Sequence, residues 1–223
     1  MSATTAPATT FSARLREATA LEHREAEDSA LLGELTRGEL GLGAWLVLLE
    51  QYRAVYGALE EGAGRMPENR PVQALLSVEL NRVPSIDADL AALRERTGQA
   101  PLGMLPAARE YAERILAASS SVPRYIAHHY TRYLGDLSGG QAIRVWLDRA
   151  YGLPEQQAAF FRFDGIPKPP AFKAAYRAAL DALELDERQE REAFEEARTA
   201  FLCNRQLFDE VHEVVRAQPL AAS

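Results

Sequence analysis

Cysteine is nearly absent from this chain of 223 residues, which contains a single thiol at Cys203. One cysteine excludes an internal disulfide, a multi-cysteine metal site and any covalent cofactor attachment that needs a cysteine pair. Cys203 lies in the apolar sequence FLCNRQLF, which predicts a buried and inert thiol.

Long apolar runs are also missing. The run from Ala44 to Leu49 is among the longest, and it falls far short of the roughly 20 residues that span a bilayer. Residues 1–10, MSATTAPATT, have neither a basic segment nor an apolar core, so we interpret them as a disordered tail rather than a secretion signal. We therefore expect a cytoplasmic protein.

Basic residues are fewer than acidic ones, with 25 Lys and Arg against 32 Asp and Glu and a net charge of −7. This balance argues against general nucleic-acid binding. No Val/Ile/Thr-rich run alternates with period two, whereas apolar residues recur at steps of three and four. The pattern predicts one all-α domain over residues 11–216, followed by a flexible tail over 217–223.

Seven or eight helices are predicted from the apolar periodicity and the residues that favour helix starts. They are a first helix over about 11–27, a second over 43–65, helices beginning at Pro71, Ser85 and Pro106, one from Val122 past Trp146 that GDLSGG interrupts, one over 168–185, and a last one over 187–216.

The first predicted helix contains LREATALEHREAED, in which His23 lies one turn before Glu27. An imidazole that binds a metal usually has its second nitrogen held by another group, and Glu27 is placed to hold it directly or through water. Arg16 lies seven residues before His23, which is about 10 Å along a continuous helix. Taken alone, this spacing favours an exposed histidine among ordinary charged neighbours.

The segment YIAHHYTRYLGDLSGGQAIRVW places Gly135, Gly139 and Gly140 inside a helical pattern. Each glycine destabilises a helix interior by roughly 1 kcal/mol relative to alanine. Three glycines in six residues therefore indicate a role that offsets this loss of stability. Gly135 and Gly139 share one face, where the missing side chains let the backbone approach a flat ligand. Arg132 and Asp136 lie on the neighbouring stripe, where a carboxylate can organise water and relay protons. The alternative is a tight helix–helix crossing with Arg132 and Asp136 as a surface ion pair.

Both segments resemble those of one known family. HHYTRYLGDLSGGQ is similar to the distal-helix signature of haem oxygenases, and LREATALEHREAE is similar to the proximal helix of the same family. QYRAVYGALEE, FFRFDGIPKPPAFKAAYR and FLCNRQLFDEV extend the resemblance over about residues 11–212. It implies a soluble, bacterial-type enzyme with haem b sandwiched between a proximal helix and a Gly-kinked distal helix. The implied reaction opens haem at the α-meso carbon with O2 and external electrons, giving biliverdin, CO and Fe2+.

The resemblance also implies roles for individual residues. His23 would be the axial ligand of the haem iron, with Glu27 supporting its helix, and the distance from His23 to Arg16 matches the half-width of haem. On the distal side, Gly135 and Gly139 would leave room for O2. Asp136, with Tyr56 and Arg132 as its partners, would hold a water network. The propionate contacts would be Arg16, Tyr130, Lys173 and Arg177, and the residues that close the pocket would be Phe201, Asn204 and Phe208. Phe201 and Phe208 suit an ordinary core equally well.

The other histidines are weaker candidates for a ligand. His128 and His129 precede the glycines, so at most one of them faces the pocket, and His212 is expected at the surface. A carboxylate-bridged di-iron site would need Glu-x-x-His on two helices. The chain contains no such sequence, and its nearest match, Asp209-Glu-Val-His212, stands alone.

Two alternatives to an oxygenase remain at this point. A module that stores or senses haem would use His23 and the basic residues Arg16, Lys173 and Arg177, but it would not need Asp136 beside glycines that leave a gap. A helical interaction protein would use every motif for packing alone. An oxygenase would also need an electron donor, such as a ferredoxin or a flavoprotein reductase, which those basic residues could attract.

Overall fold

Two long helices, Leu42–Ala63 and Glu187–Ala217, organise the core of this protein. The computed structural model describes residues 9–154 and 157–218, so most of both predicted tails lies outside the described residues. Within these ranges the α-helices are α1 Phe11–Ala18, α2 Ala20–Glu27, α3 Ala30–Thr36, α4 Leu42–Ala63, α5 Arg70–Gln73, α6 Val83–Thr97, α7 Pro106–Ala118, α8 Val122–Ser138, α9 Gly140–Tyr151, α10 Pro169–Asp181 and α11 Glu187–Ala217, with short 3-10 turns at Val78–Leu80 and Ala159–Phe161. The described residues form no strand, which confirms the all-α prediction.

Helix α4 is buried on nearly all sides and packs against α6 and α7. Trp45, Val55 and Leu59 on this helix are almost fully buried, as expected for a helix that is apolar around its circumference. Helix α11 packs against α7 and α8 along its inner face. It begins with a capping box in which Asp186 and Gln189 bond each other's backbone N–H groups.

The prediction of one continuous helix over 11–27 was wrong, because the helix is interrupted at Thr19. The Thr19 hydroxyl donates to the Leu15 carbonyl oxygen at 2.9 Å, and such bonds to the preceding turn compete with the backbone ladder and bend helices. Arg16 and His23 therefore lie on two successive helices, α1 and α2. The distance of about 10 Å for a continuous helix does not apply to them.

Most other predicted boundaries agree with the structure to within a few residues, including the interruption after α8 and the start of α7 at Pro106. The predicted start at Ser85 lies two residues after the observed one. Helix α6 begins at Val83 with Pro84 in its first turn, where the fixed φ of proline suits the helix. Glu60 also accepts hydrogen bonds from the Arg82 and Val83 N–H groups. The number of α-helices in the described ranges exceeds the seven or eight predicted because α3 was not predicted and because two predicted helices are each divided, into α1 and α2 and into α8 and α9.

Buried polar contacts join α8 to its neighbours and account for two of the histidines. His128 is fully buried and donates through Nε2 to Glu196 at 2.8 Å. His129 is hydrogen-bonded to the Tyr176 hydroxyl at 2.7 Å, and burial lowers its pKa to about 3. Both imidazoles therefore serve packing within the helical core.

The remaining expectations concern His212, Cys203 and the membrane. His212, expected at the surface, is partly buried and pairs with Glu34 at 2.9 Å. Cys203 is half-buried, and burial raises the pKa of its thiol. Among the described residues, we find no helix whose length and apolar character would suffice to cross a bilayer.

Candidate active site

A cleft of about 710 Å³ opens between helices α1 and α2 on one side and helix α8 on the other. This volume lies in the range of small-molecule and cofactor sites, roughly 300 to 1,000 Å³. The predicted site residues that line it are Arg16, His23, Tyr130, Gly135, Arg177 and Phe201. The cleft thus brings together residues from α1, α2, α8, α10 and α11.

One wall of the cleft carries an accessible imidazole. His23 lies on α2 with an exposed side chain, and its ring meets the Phe201 ring edge-on, with the centroids 5.9 Å apart. Arg16 lines the same cleft despite the interruption at Thr19. The side chain of Glu27 lies outside the described residues, so its predicted support of His23 stays a prediction.

The opposite wall, which α8 forms and which we call the distal wall, is open at Gly135 because this residue has no side chain. A Cβ at Gly135 would meet no atom within 4 Å, whereas a Cβ at Gly139 would lie 3.6 Å from the Gly135 carbonyl oxygen. Gly140 is different, because a Cβ there would lie 3.1 Å from the Phe161 ring. Gly135 therefore opens the cleft, and Gly140 permits close packing behind it. The proposed tight helix crossing does not apply at Gly135.

A buried polar network lies directly beside Gly135. The Tyr56 hydroxyl donates to the Asp136 carboxylate, and Arg132 Nη2 donates to that hydroxyl at 2.8 Å. Arg132 Nη2 also lies 3.6 Å from Asp136 Oδ1, and Nη1 donates to Asn204 Oδ1 at 2.5 Å. Arg132 is only 7% exposed, so the alternative of a surface ion pair was wrong.

Burial sets the protonation behaviour of this network. It raises the pKa of the Asp136 carboxyl above its usual range, although the Arg132 charge and the Tyr56 hydrogen bond offset part of that effect. Burial also holds the pKa of Tyr56 well above 10. A carboxyl held in this way beside an open cleft can order water and pass protons.

Comparison with known proteins decides the family. The model of the Heme oxygenase family matches residues 9–210 of this chain. The chain belongs to the haem oxygenase family. Heme oxygenase 1 of Gallus gallus is 34% identical over 206 residues, which cover 90% of this chain and 69% of that protein. Heme oxygenase 2 of Synechocystis is 33% identical over 214 residues, which cover 94% of this chain and 86% of that protein.

Solved structures of the haem oxygenase family share this helical arrangement. Heme oxygenase-1 from Synechocystis in complex with heme superposes with a TM-score of 0.86 at 28% identity, covering 94% of this chain and 95% of that one. Heme oxygenase from Leptospira interrogans superposes with a TM-score of 0.82 at 33% identity, covering 91% and 100% respectively. The sequence-based prediction of the family and of its all-α fold is confirmed.

Basic side chains lie along one edge of the cleft in this haem oxygenase. Arg16 and Arg177 line the cleft. Lys173 precedes Arg177 by one turn of α10 and donates to the Ser138 hydroxyl at 3.1 Å, and Ser138 is itself a lining residue. Tyr130 also lines this region, and burial raises its pKa. We refer to Arg16, Lys173 and Arg177 as the basic rim.

Two residues predicted to close the pocket lie elsewhere in the structure. Asn204 is buried and accepts a hydrogen bond from Arg132, so it belongs to the Asp136 network. Phe208 is buried in the core, where its ring centroid lies 6.5 Å from that of Tyr52. Phe208 lies two turns beyond Phe201 on α11, and only Phe201 reaches the cleft.

Sequence reasoning missed several lining residues. They are Thr9, Ala13, Glu17, Thr19, Ala20, Thr131, Leu134 and Ser138. Three of these, Thr131, Leu134 and Ser138, share with Gly135 the three- and four-residue spacing of a single helix face. That spacing was a signal that could have identified them.

Proposed function

We propose that this enzyme binds haem b in the cleft, with His23 as the axial ligand of the iron. With O2 and external electrons it opens the macrocycle at the α-meso carbon, giving biliverdin, CO and Fe2+. The observation that carries this proposal is the cleft itself, in which an accessible imidazole faces a wall where Gly135 contributes no side chain.

The residues around the cleft fit haem in shape and charge. The open space over Gly135 suits a flat ring, which needs the backbone to approach closely. Arg16 and Arg177 lie at one edge, where guanidinium groups bind carboxylates such as propionates. Phe201 supplies an apolar contact near His23.

The proximal wall, formed by α1 and α2, would hold the iron through the neutral imidazole of His23. His23 is accessible from the cleft, and its contact with Phe201 limits the orientations of the ring. When bound, haem supplies a redox-active iron and the macrocycle that is oxidised.

The distal residues would control protons rather than bind the iron. Asp136 lies beside Gly135 but does not itself line the cleft, so its carboxylate acts through water that it orders at the glycine gap. Tyr56 and Arg132 hold that carboxylate in one orientation. Storage of haem would require no such group, which favours oxygenase activity over storage.

The basic rim would set how haem is seated. Propionates paired with Arg16, Lys173 and Arg177, together with Tyr130, would fix the in-plane rotation of the ring and so present the α-meso carbon to the distal wall. The same cations would attract an acidic electron donor such as a ferredoxin or a flavoprotein reductase.

Mixing the purified protein with hemin tests this function. We expect a Soret shift on binding, followed by conversion to biliverdin when ascorbate is added in air. A stable haem spectrum under those conditions would instead indicate storage. An unshifted Soret band would remove the proposed haem site.

The substitution Gly135→Ala separates folding from haem binding. Alanine favours the helix over glycine by up to about 1 kcal/mol, and its Cβ would meet no protein atom. We therefore expect the free energy of unfolding in urea to rise while haem affinity and biliverdin formation fall, because the methyl group occupies space above the ring.

Gly57→Ala on α4 is the matched control for this substitution. Its Cβ would meet only the flexible end of Arg53, at 3.2 Å, and Gly57 does not line the cleft. It should stabilise the fold without changing haem affinity. Equal haem affinity and turnover in both variants would contradict the role of Gly135.

A further inference from the structure

The turn Ala159–Phe161, with the two residues that follow it, lies behind the distal helix and does not line the cleft. We call residues 159–163 the backing segment. Its Phe161 ring stacks on Trp45, with the centroids 5.3 Å apart, and it fills the space left by the missing side chain of Gly140.

The backing segment touches the distal machinery at three points. Phe161 packs against Gly140, where α9 begins. The Phe161 carbonyl oxygen accepts a hydrogen bond from Gln141 Nε2 at 2.6 Å. The Phe160 ring meets the Tyr56 ring edge-on, with the centroids 5.3 Å apart. A displacement of this segment would therefore move the helix interruption and Tyr56 together, because packed interiors leave little free space.

Two buried charged side chains hold the backbone of the backing segment. Asp89 accepts the N–H groups of Ala159 and Phe160, both at 2.8 Å. The Arg82 guanidinium donates to the carbonyl oxygens of Phe160 and Arg162. It also lies over the Phe163 ring, 3.9 Å from the centroid.

Burying charged side chains to hold a segment costs free energy of folding. That cost indicates that Asp89 and Arg82 orient the backbone of the backing segment. Asp89 is fully buried and Arg82 is 5% exposed, and burial of each charge is unfavourable unless its hydrogen bonds are satisfied. Burial raises the pKa of Asp89 to about 6, against the opposing effect of the two N–H bonds. Apolar packing would stabilise the segment at a lower cost, but only directional bonds fix the orientation of its backbone.

We infer that Asp89 and Arg82 are positioning residues for the distal wall. Through the backing segment they set the geometry of the interruption at Gly139, next to Gly140, and of Tyr56 within the Asp136 network. The consequence for catalysis rests on the proposed function, whereas the mechanical coupling does not.

Hydrogen exchange of the full-length protein without haem tests the coupling in an Asp89→Asn variant. Asparagine keeps the size of the side chain but turns an NH2 group toward one of the two N–H donors. We expect the amides of Gly139, Ala142 and Ile143, which close the turns at the interruption, to exchange about tenfold faster, the effect of one lost buried hydrogen bond. Amides within α7 should keep their wild-type rates.

Glu50→Gln is the matched control. Glu50 is also buried and accepts a loop N–H, that of Leu102 at 3.0 Å. This variant should loosen the loop at Leu102 and leave the amides at the interruption unchanged.

Arg82→Lys is a second variant in case Asp89→Asn does not fold. It keeps the charge but removes the forked donor geometry, and we expect it to accelerate exchange at the same three amides. Wild-type rates at those amides, or equal acceleration in every helix, would overturn the inference. Because haem is absent from these measurements, a failure of the wild-type protein to cleave haem would count against the proposed function alone.

Discussion

Replacing His23 by alanine is expected to abolish haem cleavage while leaving the fold intact. The His23 side chain is exposed in the cleft, and alanine has a higher helix propensity than histidine, so α2 should persist. Changes beside a metal ligand typically cost about 10- to 100-fold, and we expect loss of the proposed ligand itself to exceed that range.

Optical spectra of the hemin complex and the yield of biliverdin measure this effect. Added imidazole should restore part of the turnover, because it can enter the space that the side chain leaves. His212→Ala, which removes the His212–Glu34 pair, should retain turnover. Full biliverdin production by His23→Ala without imidazole would eliminate the assignment of His23 as the ligand.

Asp136→Ala is expected to bind haem normally and to produce almost no biliverdin. Asp136 does not line the cleft, so the haem affinity should stay near that of the wild-type protein. Loss of the carboxylate releases Tyr56 and removes the group that orders water at the glycine gap. Positioned proton transfer typically contributes 10² to 10⁴-fold, so we expect the rate of biliverdin formation to fall by about 100-fold or more.

Hemin titration and single-turnover assays with ascorbate separate binding from chemistry in this variant. Asp136→Asn should also be impaired, because its neutral amide keeps the shape but not the charge that faces Arg132. Asp148→Ala on the exposed face of α9 is the control and should match the wild-type protein. Unchanged turnover in Asp136→Ala would refute its proposed role.

The elements and motifs that depend on near neighbours could be predicted from the sequence. The boundaries of α4 and α11 follow from apolar periodicity, and both agree with the structure to within two residues. The interruption at Gly139 follows from the cost of glycine in a helix. The break at Thr19 escaped prediction because apolar periodicity does not reveal local side-chain bonds such as that of the Thr19 hydroxyl to Leu15.

Side chains of the same type on one helix were harder to assign. Phe201 and Phe208 lie two turns apart on α11, yet Phe201 lines the cleft and Phe208 is buried near Tyr52. Asn204 lies between them and bonds Arg132. These differences depend on which helix faces each residue, and no property of the residues themselves carries that information.

The sequence by itself determined the helical class, the family, and the presence of a histidine and a glycine-interrupted helix as the two marked features. Short-range patterns are sufficient for these conclusions. Only the tertiary structure decided that Gly135 opens the cleft while Gly140 packs against Phe161. Only the tertiary structure joined Arg132 to Asn204 and Asp89 to the backing segment, across 72 and 71 positions of the chain. Such contacts form when helices that are distant in the sequence pack together. The free-energy cost of burying the charges is offset only where that packing supplies their hydrogen bonds.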